Sequence, residues 1–430
     1  MEIGKLVEWN PWWENKNLLT NLTGKPRPAY NILVNSIKIK EITIITGVRR
    51  AGKSTLMYQM IENLFAKNID PKQILFVNLE DKTLSKDSLE DIYLTYRKDI
   101  NPDKRAYIFL DEIHKREGWE SWVRKKYDLK TNDKFIISGS CSYLLKKEYS
   151  TLLTGRNLTF EVFPSSFDEF LLFKKVIINK KDIKKGIILE KTKNSILKNL
   201  NEYLNIGGFP EIEFKQKDYQ MKILKQYFDD ILFKDIIDRF NLNSQKTEDL
   251  ALFFITNVTS LVSLRNIRNS LNLSYDTIKE YMSHFKDAFL FFTLDYFSYS
   301  LKEQKTMASK VYCVDSGLRN AVSFKFSRDL GKLAENLVFV ELKRRENEFY
   351  YWKTPKEEVD FVIKEKNNSL TAINVSYTDE IDDRETRGLL NFNKQFEKCK
   401  KLILLTKDLE KKEKGILFIP LWKWLIITDK

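Results

Sequence analysis

An eight-residue stretch, G-V-R-R-A-G-K-S at 47–54, constrains this chain more than any other feature. It follows a short apolar, β-branched run, E-I-T-I-I-T at 41–46, and precedes L-M-Y-Q-M-I-E-N-L-F, whose apolar residues recur at helical spacing. Strand, glycine-bounded loop and helix in that order match G-x-x-x-x-G-K-[ST], the phosphate-binding loop. Glycine lets the backbone wrap an anion with successive N–H groups, and the following helix points its positive end at the same place. Gly47, Val48, Arg49, Arg50, Ala51, Gly52, Lys53, Ser54 and Thr55 are therefore the candidate ATP-binding residues. Lys53 is placed to reach the β- and γ-phosphates, and Ser54 to offer its hydroxyl to Mg2+.

A second constellation, Y-I-F-L-D-E at 107–112, is an apolar strand ending in two carboxylates. Asp111 suits holding Mg2+, and Glu112 suits polarising an attacking water. Binding alone needs no base, so the adjacent Glu112 points to hydrolysis; a solvated acidic strand end is the plainer alternative. A further strand ends in S-G-S at 138–140, where Ser138 or Ser140 could sense the γ-phosphate or simply close a turn. Arg156, in T-G-R, is either a surface arginine or a charge for the transition state in a neighbouring subunit's site.

Buried strand signals recur at 74–79, 106–110 and 134–138 with helical stretches between them, which implies an α/β fold with a parallel sheet and helices on both faces. From about residue 195 to 290 the segments are helical and aromatic-rich; after about 330 mixed α/β patterning returns. With 430 residues, more than one core is expected. The expected modules are 1–175, 176–310 and 311–430. A formal charge of +13 makes a polyanionic partner such as nucleic acid plausible, although a lysine-rich surface has other origins. Cys141, Cys313 and Cys399 are too scattered for a disulfide framework or a paired metal signature, and two histidines are too few for a histidine metal site. The start M-E-I-G-K-L-V-E-W-N-P-W-W is no signal peptide, and apolar runs near Phe289 and Leu417 are broken by Asp295 and Lys423. A soluble, cytoplasmic protein without a membrane span is expected.

The chain resembles an AAA-type ATPase family common in archaea and also found in bacteria, with a C-terminal domain of unknown function. The resemblance rests on N-P-W-W at 10–13, G-V-R-R-A-G-K-S-T at 47–55, F-L-D-E at 109–112, I-I-S-G-S at 136–140, T-G-R at 154–156, F-P-S-S-F-D-E-F at 163–170, G-G-F-P-E at 207–211, K-D-I-I at 234–237, V-D-S-G-L at 314–318, A-E-N-L-V-F at 334–339 and E-V-D-F at 358–361. It implies an ATPase core, a winged-helix segment and a C-terminal module of restriction-endonuclease-like topology. It also favours Arg156 as an arginine-finger-like residue and a homo-oligomer in which that residue would act.

In the middle module, S-L-V-S-L-R-N-I-R-N-S-L, the turn N-L-S and Y-D-T-I-K-E-Y-M-S-H-F-K have helix–turn–helix spacing, with Ser274 as N-cap. Ser274, Tyr275, Lys279 and His284 then fall on or near a recognition helix, with Arg265 before it; a winged helix used only for packing is the alternative. In the C-terminal module Glu335 and Asp360 match two acidic positions of an endonuclease-like site. Asn374 and Ser376 stand where its second carboxylate and lysine belong, so metal binding and water activation should collapse. The leading expectation is an ATPase that remodels nucleic acid or nucleoprotein. The alternatives are an ATP-gated switch with slow hydrolysis and an ATP-regulated nuclease.

Overall fold

The computed structural model describes residues 1–140, 153–323 and 329–427; Cys141 lies outside them. The chain divides into two compact units, Met1–Phe163 and Pro164–Lys430.

The first unit is built on β1 (Ile42–Thr46), β2 (Ile74–Asn78), β3 (Tyr107–Asp111), β4 (Lys134–Gly139) and β5 (Asn157–Glu161). They form one parallel sheet in the order β2-β3-β4-β1-β5. Every residue of β1, β3 and β4 is buried, which is why these strands read as continuous apolar runs rather than alternating ones. Besides the short helices Gly4–Val7 and Ala29–Ser36, its helices include α1 (Lys53–Ala66), α2 (Leu89–Asp99) and α3 (Trp119–Asp128). Tyr93, Tyr96, Trp119 and Val123 of α2 and α3 share a core with Ile42, Ile44, Ile108, Leu110 and Ile137 from the sheet. β5 carries no such run: it is an edge strand with only partial burial, so N-L-T-F-E gives a weak strand signal.

The other sheet edge explains N-P-W-W. Asn10 Nδ2 donates to the Phe76 carbonyl at 2.8 Å, and the Phe76 N–H donates to Asn10 Oδ1 at 2.7 Å. One buried amide thus satisfies both backbone groups of a residue on edge strand β2, which would otherwise be open to pairing with another chain.

The second unit begins with α4 (Phe167–Phe173), α5 (Glu190–Ile206) and α6 (Lys217–Asp230). A π-helical turn, Ile231–Ile237, contains K-D-I-I. There follow α7 (Ser244–Thr256), β6 (Leu261–Val262), α8 (Leu264–Leu271), α9 (Tyr275–Asp287), β7 (Phe291–Leu294) and β8 (Ser309–Cys313). These strands form an antiparallel sheet, β6-β8-β7. The expected boundary at 310/311 therefore falls inside a strand. The connection between β7 and β8 contains a short helix, Leu301–Thr306, so their pairing is not a local hairpin.

Next come α10 (Ser316–Val322), α11 (Leu330–Arg344), β9 (Glu348–Lys353), β10 (Glu358–Lys364), β11 (Leu370–Ser376), α12 (Asp383–Gln395), β12 (Cys399–Thr406), β13 (Lys411–Glu413) and β14 (Ile416–Pro420). The sheet order is β13-β14-β12-β11-β10-β9. β9, β10 and β11 pair antiparallel, whereas β11, β12 and β14 pair parallel. Cys313 and Cys399 are both buried free thiols.

Candidate functional site

The phosphate-binding loop leaves the C-terminal end of β1 in a conformation few residues tolerate. Gly47 has φ 148°, and a Cβ there would lie 2.0 Å from the Val162 carbonyl oxygen, so only glycine fits. Arg50 and Gly52 also take positive φ, 68° and 92°. α1 starts at Lys53, and its N-cap, Gly52, makes no side-chain cap hydrogen bond; the N–H groups of a helix start of this kind suit an anion.

Lys53 is buried and donates from Nζ to the loop's own carbonyls, Gly47 at 3.1 Å and Val48 at 3.2 Å. Ser54 Oγ donates to Asp111 Oδ2 at 2.5 Å. Because β4 lies between β1 and β3, its end stands beside both the loop and the acidic pair. Ser138 Oγ donates to Asp111 Oδ1 and accepts the Glu112 N–H at 3.1 Å. Burial, reinforced by Glu112, pushes the Asp111 carboxyl up to about 6, against the pull of Ser138, Ser54 and Lys53. A divalent cation at Asp111 would reverse that balance.

Glu112 leaves β3 with φ 53°, a left-handed conformation that costs a non-glycine residue about 1 kcal/mol. Its side chain is tied into the site. Oε2 accepts the Ser140 N–H at 3.2 Å and lies 3.3 Å from His114 Nδ1, while Oε1 stands 3.9 Å from Lys53 Nζ. Ser140 thus reaches the site through its backbone, and Ser138 through its hydroxyl. The donors and acceptors fit ATP with Mg2+: a glycine-only cradle, a lysine resting on loop carbonyls, and a hydroxyl paired with a buried carboxylate.

The remaining candidates spread out. Arg49 Nη2 pairs with Glu80 Oε1 at 3.1 Å, Arg50 is exposed, and Thr55 is half-buried. Arg156 is not brought to the loop. It precedes Asn157, which pairs with Ile42 at the opposite end of β1, and its Nε donates to Asp128 Oδ1 at 2.9 Å. A five-residue strand separates it from the loop by on the order of 15 Å.

One residue escaped the sequence. Buried Arg27 donates from Nη1 to the Ala51 carbonyl at 2.6 Å and from Nη2 to the Phe163 carbonyl at 3.0 Å. Its guanidinium therefore braces the loop from behind. Its partners lie 24 and 136 residues away, so no local pattern could have shown it.

In the second unit Ser274 caps α9, accepting the Thr277 N–H at 3.1 Å. Lys279 and Arg265 are exposed. Arg268 lies over the Tyr275 ring at 5.0 Å, and His284 stacks on Phe240 at 3.9 Å as a packing residue.

Glu335 and Asp360 do come together, around a lysine. Lys310 Nζ on β8 stands 2.9 Å from Glu335 Oε1, 2.6 Å from Glu358 Oε1 and 3.0 Å from Asp360 Oδ1. Burial opposes its charge, but the surrounding acids outweigh it and hold the ammonium well above the ordinary lysine range. Asn374 accepts the Asp360 N–H at 3.0 Å and donates to the Glu358 and Glu385 carbonyls, tying β11 to β10 and to α12. Among the described residues, no group of three or more His, Cys, Asp and Glu is arranged to hold a metal ion. No helix among them is long and apolar enough to cross a membrane.

Comparison with known proteins matches residues 39–171 to an AAA domain. Residues 197–329 and 330–424 match two domains of unknown function, DUF8612 and DUF4143. The uncharacterized protein MJ1544 of Methanocaldococcus jannaschii is 32% identical over 420 residues, covering 91% of each chain. An uncharacterized protein of Haemophilus influenzae is 30% identical over 408 residues, 92% of this chain and 98% of that one. The Walker-type ATPase PABY2304 of Pyrococcus abyssi has 12% identity and a TM-score of 0.46 over 70% of this chain and 99% of that one. With its nucleotide loop, acidic strand end and full-length relatives, the chain belongs to a family of AAA-type P-loop ATPases, found in archaea and bacteria, whose AAA domain precedes two domains of unknown function.

Proposed function

We propose that the first unit binds ATP with Mg2+ and hydrolyses it, and that the second unit couples turnover to remodelling of nucleic acid or nucleoprotein. The observation that carries hydrolysis is Glu112, held beside Asp111 by the Ser140 N–H and 3.9 Å from Lys53. In this reading Lys53 exchanges the Gly47 and Val48 carbonyls for phosphate oxygens. The loop N–H groups orient the triphosphate, and Ser54 and Asp111 hold Mg2+, which neutralises phosphate charge. Glu112 accepts the proton of the attacking water. Arg156 would contribute only to the site of another copy in a homo-oligomer.

The coupling reading is supported by the order α7, β6, α8, α9, β7, then a short helix, Leu301–Thr306, and β8, with sheet order β6-β8-β7, which resembles a winged helix with a helix in its wing. α9 would be its recognition helix, exposing Tyr275, Lys279 and Lys286. A second reading, an ATP-gated switch whose winged helix only packs, is favoured by Asp276 and Glu280, exposed on the same helix. ATP turnover with single-stranded DNA, double-stranded DNA and no DNA separates them. Strong stimulation that falls in Arg265→Ala/Lys279→Ala supports coupling; slow turnover indifferent to DNA supports the switch.

A further inference from the structure

The connection between α4 and α5 concentrates charge. Residues 174–193 hold eight lysines against two acids, a net +6 of the chain's +13, and neither an arginine nor an aromatic residue. Between 172 and 189 four aliphatic side chains also face solvent: Leu172 is 54% exposed, Ile177 93%, Ile187 62% and Leu189 77%. A single exposed leucine is ordinary, but four so close in sequence, set among lysines, mark a surface with a partner.

The connection is held by its own hydrogen bonds. A short helix, Lys180–Lys184, is capped by Asn179, whose Oδ1 accepts the Lys181 N–H at 3.1 Å. Ile183 turns into the core and is only 3% exposed. At the helix end Gly186 takes φ 76°, which lets the Ile187 N–H reach the Asp182 carbonyl at 2.9 Å. Ile177 thus stands just before the helix, and Ile187 and Leu189 just after it. Lys174, Lys180 and Lys193 pair with Glu202, Asp168 and Asp408 at 2.9, 2.6 and 2.6 Å, whereas Lys175, Lys181, Lys185 and Lys191 are exposed.

We infer that this connection is a peripheral docking surface for an anionic lipid bilayer. Its aliphatic side chains enter the boundary between headgroups and acyl chains, and its lysines hold the anionic headgroups. The composition selects this partner over others. Protein interfaces are depleted in lysine and enriched in aromatic residues and arginine. Single-stranded nucleic acid is held by aromatic stacking, and duplex phosphates give an exposed isoleucine nothing to bury against. A second copy of the chain would bring like charges together. A lipid surface takes both kinds of side chain at once, because apolar burial and the attraction of lysine to anionic lipid add. Such contact is reversible, weakened by salt, and needs no membrane-spanning helix.

Flotation of the full chain with phosphatidylcholine vesicles, with and without phosphatidylglycerol, tests this. The proteins compared are the wild type, Ile177→Ser/Leu189→Ser and Lys181→Gln/Lys185→Gln, with unchanged ATP affinity as the check that each is folded. Wild type should bind the anionic vesicles at least about tenfold more tightly than the neutral ones, and lose that preference in high salt. Ile177→Ser/Leu189→Ser keeps the net charge of +13, so the general attraction of a basic protein to anionic vesicles persists in it. Its affinity should nevertheless fall at least about tenfold, because the inserted side chains are gone. Lys181→Gln/Lys185→Gln should fall by about tenfold or more. Wild type that ignores anionic vesicles overturns the proposal, and so does binding that either variant retains in full.

Discussion

Replacing Arg27 by methionine keeps most of the buried stem and removes only the guanidinium. The bonds lost include those to the Ala51 carbonyl at 2.6 Å and the Phe163 carbonyl at 3.0 Å. Hydrogen bonds to charged groups contribute about 1.5–3 kcal/mol each, and the two carbonyls lose their charged donor. The expected cost is about 3–6 kcal/mol of stability in the first unit. Ala51 lies within the phosphate-binding loop, so the looser loop must be ordered again on binding. ATP affinity should fall at least about tenfold, equivalent to about 1.4 kcal/mol. Urea unfolding and a fluorescent-nucleotide titration measure the two effects. Arg27→Lys, a point charge unable to span both carbonyls, should fall between wild type and Arg27→Met. An Arg27→Met protein within about 0.5 kcal/mol of wild type, with unchanged affinity, would refute the bracing role.

Three further outcomes follow from the geometry. Asp315, fully buried, accepts the N–H groups of Gly208, Gly317 and Leu318, and burial pushes it up to about 6 against those bonds and Arg344. Its raised value contributes stability that is complete below its ordinary 3.8 and lost as pH rises through about 6, on the order of 3 kcal/mol. The stability difference between wild type and Asp315→Asn should therefore widen as pH falls from about 7 to 4, and a pH-independent difference in urea unfolding contradicts this. Arg156→Ala should leave ATP affinity unchanged. Turnover lost in that variant, and restored by mixing with a Lys53→Ala partner, places Arg156 in a neighbour's site, whereas unchanged turnover leaves it an ion pair with Asp128. Gly47→Ala should lose both stability and ATP binding, because its Cβ would meet the Val162 carbonyl at 2.0 Å; full ATP binding in a titration contradicts that steric reading.

Much of the first unit was legible because its signals are local. Loop, helix start and acidic strand end each occupy a few consecutive residues whose chemistry demands that order. Strands buried on both faces announce themselves as apolar runs, as β1, β3 and β4 do. Edge strand β5 did not, since half-exposed residues lack that pattern. Arg27, the Asn10 clamp and Lys310 were illegible for a different reason: each acts on partners brought together only by folding. Glu335 and Asp360 were matched to positions of an endonuclease-like module, but the cation between them comes from β8, 25 and 50 residues earlier. Arg156 shows the converse, a motif that sequence associates with a nucleotide site and the fold carries to the other end of the sheet.

The central claim is that this loop and its acidic strand end hydrolyse ATP with Glu112 as the base. Single-turnover ATP hydrolysis by Glu112→Gln, with ATP affinity measured on the same protein and Lys53→Ala as the binding-defective control, tests it directly. The account predicts near wild-type ATP affinity with turnover reduced by about 10²–10⁴-fold, the range of a general base. Undiminished hydrolysis in Glu112→Gln would contradict it.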